Sequence, residues 1–181
     1  MRRAKARGLN VTCETGPHYL LLCDRDLQEE GHFKMNPPLR SAEDKEALIE
    51  GIMDGTIEVL ATDHAPHAES EKAKGLEKSA FGIVGIETAF PLMYTHFVKS
   101  GKMTFEHLMD IMSKNPRQIF GLGGELAVGE RADLAVFDLD REYEIRSEEF
   151  LSMGKSTPFE GWMVCGECVM TICRGEVAYE K

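Results

Sequence analysis

Residues 61–67 read Ala-Thr-Asp-His-Ala-Pro-His and place one carboxylate and two imidazoles within seven positions. A mostly apolar run, Ile57-Glu58-Val59-Leu60, leads straight into them. An aspartate at the end of a buried strand can ligate a divalent metal through oxygen, and it can take a proton from water. A histidine such as His18 can give neutral imidazole nitrogen to the same ion. His64 and His67 do not form a ligand pair on one helix face, because Pro66 between them breaks that geometry. The residue types alone leave two readings open: a metal-binding catalytic edge, or a polar turn rich in histidine.

A second constellation is Cys165-Gly-Glu-Cys168. A zinc knuckle needs a second ligand pair, and none is near, so two cysteines in a strand is the simpler reading. The five cysteines are odd in number and the chain is neither small nor loop-rich. A disulfide framework is not expected, and a reducing cytoplasm fits. Net charge is -10, which argues against a nucleic-acid partner, since phosphate binding needs a clustered positive field. No apolar stretch reaches the roughly 20 residues of a membrane helix. The basic start, Met1-Arg2-Arg3-Ala4-Lys5-Ala6-Arg7-Gly8, lacks the apolar segment of a signal peptide and reads as the end of a helix stopped by Gly8.

Several elements would position these residues. Val11–Glu14 reads as a short strand, turned by Thr15-Gly16-Pro17 just before His18. Lys34-Met35-Asn36 leads into Pro37-Pro38, which is extended. Ser41 opens a helix, with Glu43 and Asp44 in its first turn, and Leu48, Ile49, Ile52 and Met53 forming one apolar face. Ile57–Thr62 suits a parallel strand buried on both faces. Residues 64–84 show no period and read as one long loop. Ile86, Phe90, Met93 and Phe97 recur at helical spacing; Thr104 caps a further helix, and Asn115-Pro116 starts another. Glycines then cluster at 121, 123, 124 and 129. Strands follow at Asp133–Asp138 and Val164–Cys173, and Arg174-Gly175 turns a hairpin into Val177-Ala178-Tyr179.

Four motifs occur in order: Glu14-Thr15-Gly16-Pro17-His18-Tyr19-Leu20, Lys34-Met35-Asn36-Pro37-Pro38-Leu39-Arg40, Thr62-Asp63-His64-Ala65-Pro66-His67, and Phe81-Gly82-Ile83-Val84-Gly85-Ile86-Glu87-Thr88. With Thr157-Pro158-Phe159-Glu160-Gly161-Trp162, they make the chain resemble the C-terminal half of a dihydroorotase of the amidohydrolase superfamily. The resemblance implies an α/β fold: the C-terminal portion of a TIM (β/α)8 barrel, about strands six to eight, plus strands of a small β-sandwich domain. Residues 1–121 would be the partial barrel carrying the metal and substrate residues, and 122–181 the β-rich segment of the small composite domain. His18 and Asp63 would be metal ligands, and Asp63 also the catalytic proton carrier. Asn36, His67, Phe81 and Gly82 would hold the substrate. Tyr19 stands where many relatives carry a second histidine, and Gly16 where many carry threonine.

The implied cofactor is zinc, binuclear in an intact enzyme. The implied reaction is the reversible hydrolysis of dihydroorotate to N-carbamoyl-aspartate in pyrimidine biosynthesis. Self-association, or association with aspartate transcarbamoylase, belongs to the same expectation. Such a site also needs an HxH pair, an arginine behind it and further ligands, and the six histidines include no HxH. A complete barrel takes about 250 residues. We therefore expect a chain lacking the first half of such a protein, with an incomplete zinc site and no activity alone. The competing expectations are a hydantoinase or allantoinase, and a catalytically dead scaffold of dihydroorotase type.

Overall fold

The structure is a computed structural model that describes residues 1–123 and 126–181. Gly124 of the glycine cluster lies outside the described residues. The chain forms two compact units, Met1–Ala89 with Ile145–Trp162, and Phe90–Glu144 with Met163–Lys181.

In the first unit, helix α1 (Arg2–Ala6) is followed by β1 (Glu14–Thr15), α2 (Pro17–Leu21), α3 (Ala42–Met53) and β2 (Val59–Leu60). β1 and β2 pair in parallel, Glu14 opposite Val59 and Thr15 opposite Leu60. Flanking bonds from Glu58 N–H to Cys13 O and from Ala61 N–H to Thr15 O extend the contact. β1 begins at Glu14 rather than Val11 and takes in Thr15, which the sequence reads as turn, and β2 keeps only Val59 and Leu60 of the run Ile57–Thr62. Pro17 at the start of α2 ends the first strand. The Asn36 segment makes no ladder of its own. Ser41 caps α3 by accepting from Asp44 N–H at 3.2 Å, as its residue type predicts.

The stretch expected to be one long loop holds two single-turn helices, α4 (Glu69–Lys72) and α5 (Gly75–Lys78), and an isolated parallel bridge from His64 to Ile83. A four-residue helix has no second turn in which an apolar period could repeat, so the pattern was invisible in the sequence. The returning segment is tied in by polar contacts. Glu87 accepts from Leu151 N–H, Ser152 N–H and Ser152 Oγ at 2.6–3.0 Å, and Val84 N–H donates to Ser156 O. Met35, Ile52, Ile83, Val84, Ile145 and Phe159 are fully buried in this unit.

Helix α6 (Ile86–Met93) crosses the division between units and continues as a wide π-turn over Tyr94–Lys99. α7 (Phe105–Met109), capped by Thr104 Oγ1, runs through a second π-turn (Asp110–Lys114) into α8 (Asn115–Phe120). Asn115-Pro116 is therefore not a fresh start. The wider hydrogen-bond spacing of the π-turn accommodates a residue that has no N–H to give. β3 (Leu134–Glu144), β4 (Met163–Cys173) and β5 (Glu176–Glu180) form an antiparallel sheet in that order. Arg174 and Gly175, both at positive φ (54° and 83°), make the expected two-residue hairpin. Phe90 stacks on Phe137 at 3.9 Å between centroids, beside fully buried Leu108, Ile111 and Val164. Among the described residues no helix is long and apolar enough to cross a membrane.

Candidate active site

A parallel pair puts the C-terminal ends of both strands on one side. Position 18 lies three residues after Thr15, the end of β1, and position 63 three residues after Leu60, the end of β2. The two chemically interesting side chains therefore start from the same edge of the same ladder.

His18 sits in the first turn of α2, behind Gly16 as N-cap and Pro17 at the first helical position. It is 1% exposed, and its buried Nε2 has no hydrogen-bond partner among the described residues. Burial pushes its pKa down from 6.5 to about 4, so the ring is a neutral imidazole at physiological pH. A Cβ on Gly16 would stand 2.5 Å from His18 Cε1, so the absence of a side chain at 16 is what admits the ring.

Asp63 is exposed and has φ 48°, the left-handed region that aspartate tolerates better than most residues. Tyr19 links the neighbourhood. Its ring lies 4.0 Å from that of His18, and its Oη donates to Pro37 O at 2.7 Å, next to exposed Asn36. Burial first, and then the Asp63 charge, push the Tyr19 phenol up to about 12.

The two histidines of the 61–67 stretch differ. His64 Nδ1 accepts from Gly85 N–H and Ile86 N–H at 3.1 and 3.3 Å. It caps the start of α6, a structural task that leaves the proton on Nε2. His67 Nε2 lies 2.8 Å from Phe81 O, and a carbonyl only accepts, so Nε2 carries the proton. Its Nδ1 faces Glu71 at 3.7 Å.

Phe81 is exposed, with Lys34 Nζ 4.5 Å from its ring centroid. Gly82 has φ 131°, and a Cβ there would stand 2.5 Å from Ala65 Cβ. Gly82 N–H donates to Lys34 O, and Gly82 O accepts from Lys72 Nζ. The main-chain groups expected to meet a substrate ring are thus already bonded within the chain. Lys72 is the residue that sequence reasoning passed over. It sits in the 64–84 stretch that reads as one long loop, yet it is 4% exposed.

The donor chemistry around His18 fits zinc: a neutral, buried imidazole nitrogen without a partner is what such an ion requires. Among the described residues, no group of three or more His, Cys, Asp or Glu side chains is placed to hold a metal.

The sequence model of the Amidohydrolase family matches residues 4–178. The chain belongs to that family. It is 56% identical to the dihydroorotase of Bacillus caldolyticus over 183 aligned positions, covering 100% of this chain and 43% of that protein. It is 51% identical to the dihydroorotase of Lactobacillus gasseri, again over its whole length and 44% of the relative's. Among solved structures it is similar to the L-hydantoinase (dihydropyrimidinase) of Arthrobacter aurescens. The TM-score there is 0.89 at 37% identity, over 99% of this chain and 41% of the other. This amidohydrolase chain thus spans less than half the length of the relatives it matches.

Proposed function

We propose that this chain carries the His18 and Asp63 side of a dihydroorotase-type zinc site, for the reversible hydrolysis of the cyclic amide of dihydroorotate to N-carbamoyl-aspartate. The observation that carries this reading is the direct parallel pairing of β1 with β2, from whose common edge both residues start. The match to curated dihydroorotases over the whole chain supports it. We read the first unit as part of a (β/α)8 barrel, about strands six to eight, in which the Asn36 segment supplies loop rather than ladder. The β3–β5 sheet belongs, on this reading, to a small β-sandwich domain.

An amide carbonyl is a poor electrophile and neutral water a poor nucleophile; zinc, when held, polarises the first and acidifies the second. His18 Nε2 and the Asp63 carboxylate are the groups that would hold it. Asp63 takes the proton from the attacking water and returns it to the leaving ring nitrogen, a task served by an exposed carboxylate on a tight turn. Asn36, His67 and the Phe81–Gly82 main chain orient the ring. Phe81 O and Gly82 O each keep a second lone pair for a ring N–H after their internal bonds are counted.

Zinc takes four ligands, and the 181 residues offer two here and no HxH. The purified chain is therefore expected to bind zinc weakly and to leave dihydroorotate unhydrolysed. Turnover of dihydroorotate with tightly held zinc would overturn this. Exposed Phe120, Leu122, Leu126 and Val128 support association with a second copy or with aspartate transcarbamoylase.

The solved hydantoinases favour a second reading, with hydantoin-type rings as substrates. Titrating the isotope-labelled chain with dihydroorotate, hydantoin and allantoin separates the two. The proposal expects dihydroorotate to move the amide resonances of Asn36, His67, Phe81 and Gly82. Movement with hydantoin or allantoin and not with dihydroorotate would replace it.

A further inference from the structure

Lys72 ends α4 with its ammonium inside the protein, and among the described residues no carboxylate is bonded to it. Its Nζ donates to Lys34 O at 3.1 Å, Ala80 O at 2.8 Å and Gly82 O at 2.6 Å. An ammonium has three donors, so three acceptors satisfy it completely. Those acceptors lie on two separate segments. One is Lys34, two residues before Asn36; the other is Ala80 to Gly82, which contains Phe81. The same region is laced by Gly82 N–H to Lys34 O, Ala80 N–H to Glu71 O, and Ser79 Oγ to Lys72 O.

Burying a charge without an opposite charge is costly, and an apolar side chain would avoid that cost. It would also leave Ala80 O and Gly82 O without the donor that now serves them. Backbone at these positions is irregular, with Gly82 at φ 131°, and no strand ladder is available to satisfy it. Lys72 does the work of a missing strand. In doing so it sets where Phe81 O meets His67 Nε2.

We propose that Lys72 is a positioning residue of the substrate site, which fixes the Phe81–Gly82 main chain against the segment carrying Asn36. This rests on the proposed function for its catalytic meaning, since it acts through residues assigned there to the ring. Among the described residues its hydrogen-bond acceptors are the Lys34, Ala80 and Gly82 carbonyls, and nothing requires Lys72 to touch substrate.

The test uses the 181-residue chain with Lys72→Met, which keeps an unbranched stem and loses the donors, and Lys72→Arg, which keeps charge and donors. Amide exchange of Gly82 is expected to quicken at least about tenfold in K72M, with α3 amides unchanged, and to return toward wild type in K72R. Dihydroorotate-induced shifts at Phe81 and Gly82 are expected to weaken in K72M and recover in K72R, a pattern that general destabilisation does not produce. Unchanged Gly82 exchange in K72M overturns the proposal. If dihydroorotate moves nothing in the wild-type chain, the proposed function fails, and the exchange contrast still decides whether Lys72 positions the loop. Should K72M unfold, so that α3 amides quicken too, amine acylation of the wild-type chain decides. Lys72 is expected to react at least about tenfold more slowly than exposed Lys74 and Lys78; equal labelling overturns the assignment.

Discussion

His18 and Asp63 occupy equivalent places after two neighbouring strands: each lies three residues beyond its member of the Thr15–Leu60 register pair. Parallel pairing gives both chains the same direction, so equal offsets bring both residues out at the same edge. The environments then differ. His18 is enclosed, neutral and, among the described residues, without a partner at Nε2, while Asp63 is exposed on a left-handed turn. On the proposed reading one would be a fixed nitrogen donor and the other a carboxylate with access to water.

The enclosure of His18 depends on Gly16. With a Cβ at 16 placed 2.5 Å from His18 Cε1, Gly16→Ala forces the ring to move. Overpacking of this kind costs about 1–3 kcal/mol. A urea titration of the metal-free chain should show that loss, and Gly16→Thr should show at least as much. An unchanged midpoint with an unmoved His18 ring resonance would refute the cradle.

Asp63 is held at φ 48°, where a β-branched residue is strained. Asp63→Val is expected to lower stability by about 1–2 kcal/mol, whereas Asp63→Asn, which tolerates this region, should stay within about 0.5 kcal/mol. Equal stability of the two variants in chemical denaturation would show that the turn relaxes at no cost.

Lys72 gives a signed pH dependence. Burial, and then the charge of Lys34, push its pKa down from 10.5 to about 8. Below about 8 both folded and unfolded chains hold the proton, and the cost of burying the charge is carried in full. Between about 8 and 10.5 the unfolded chain holds the proton and the folded chain does not, so stability rises with pH. The stability of wild type relative to K72M should therefore increase by about 2 kcal/mol from pH 7.5 to 10. Taking the difference between the two proteins cancels other titrating groups, including Tyr19 and Tyr143, whose phenols are pushed up by burial. A difference that is flat or falls with pH would contradict the buried ammonium.

The Glu87 carboxylate, which accepts three bonds from Leu151 and Ser152, anchors the returning segment. Glu87→Ala should cost about 1–3 kcal/mol by leaving the two N–H groups without it. Limited proteolysis should then cut near residues 150–153 first. Resistance equal to wild type would show that this anchor is dispensable.

What could be read from the sequence was local. Ser41 and Thr104 announce their helices because a cap bonds an N–H three residues away. Arg174-Gly175 announces its hairpin because the turn is two residues long. The four ordered motifs carried the family. What could not be read depends on distant partners. Lys72 meets Lys34 across 38 residues, and nothing in a charged run marks one lysine as buried. His64 and His67 look alike in Asp-His-Ala-Pro-His until Gly85 and Phe81 are brought to them. The π-turns after Met93 and Met109 leave the 3.6-residue pattern nearly intact and so give no warning.

The central claim is that His18 and Asp63 form one side of a zinc site. The measurement that tests it most directly is a zinc titration of the metal-free chain, followed by the histidine ring resonances. The account predicts that His18 moves selectively, with a dissociation constant weaker than about 10 μM for so few ligands, and that the response is lost in Asp63→Ala. A His18 ring that stays fixed at saturating zinc, or zinc captured at Cys165 and Cys168 instead, would contradict it.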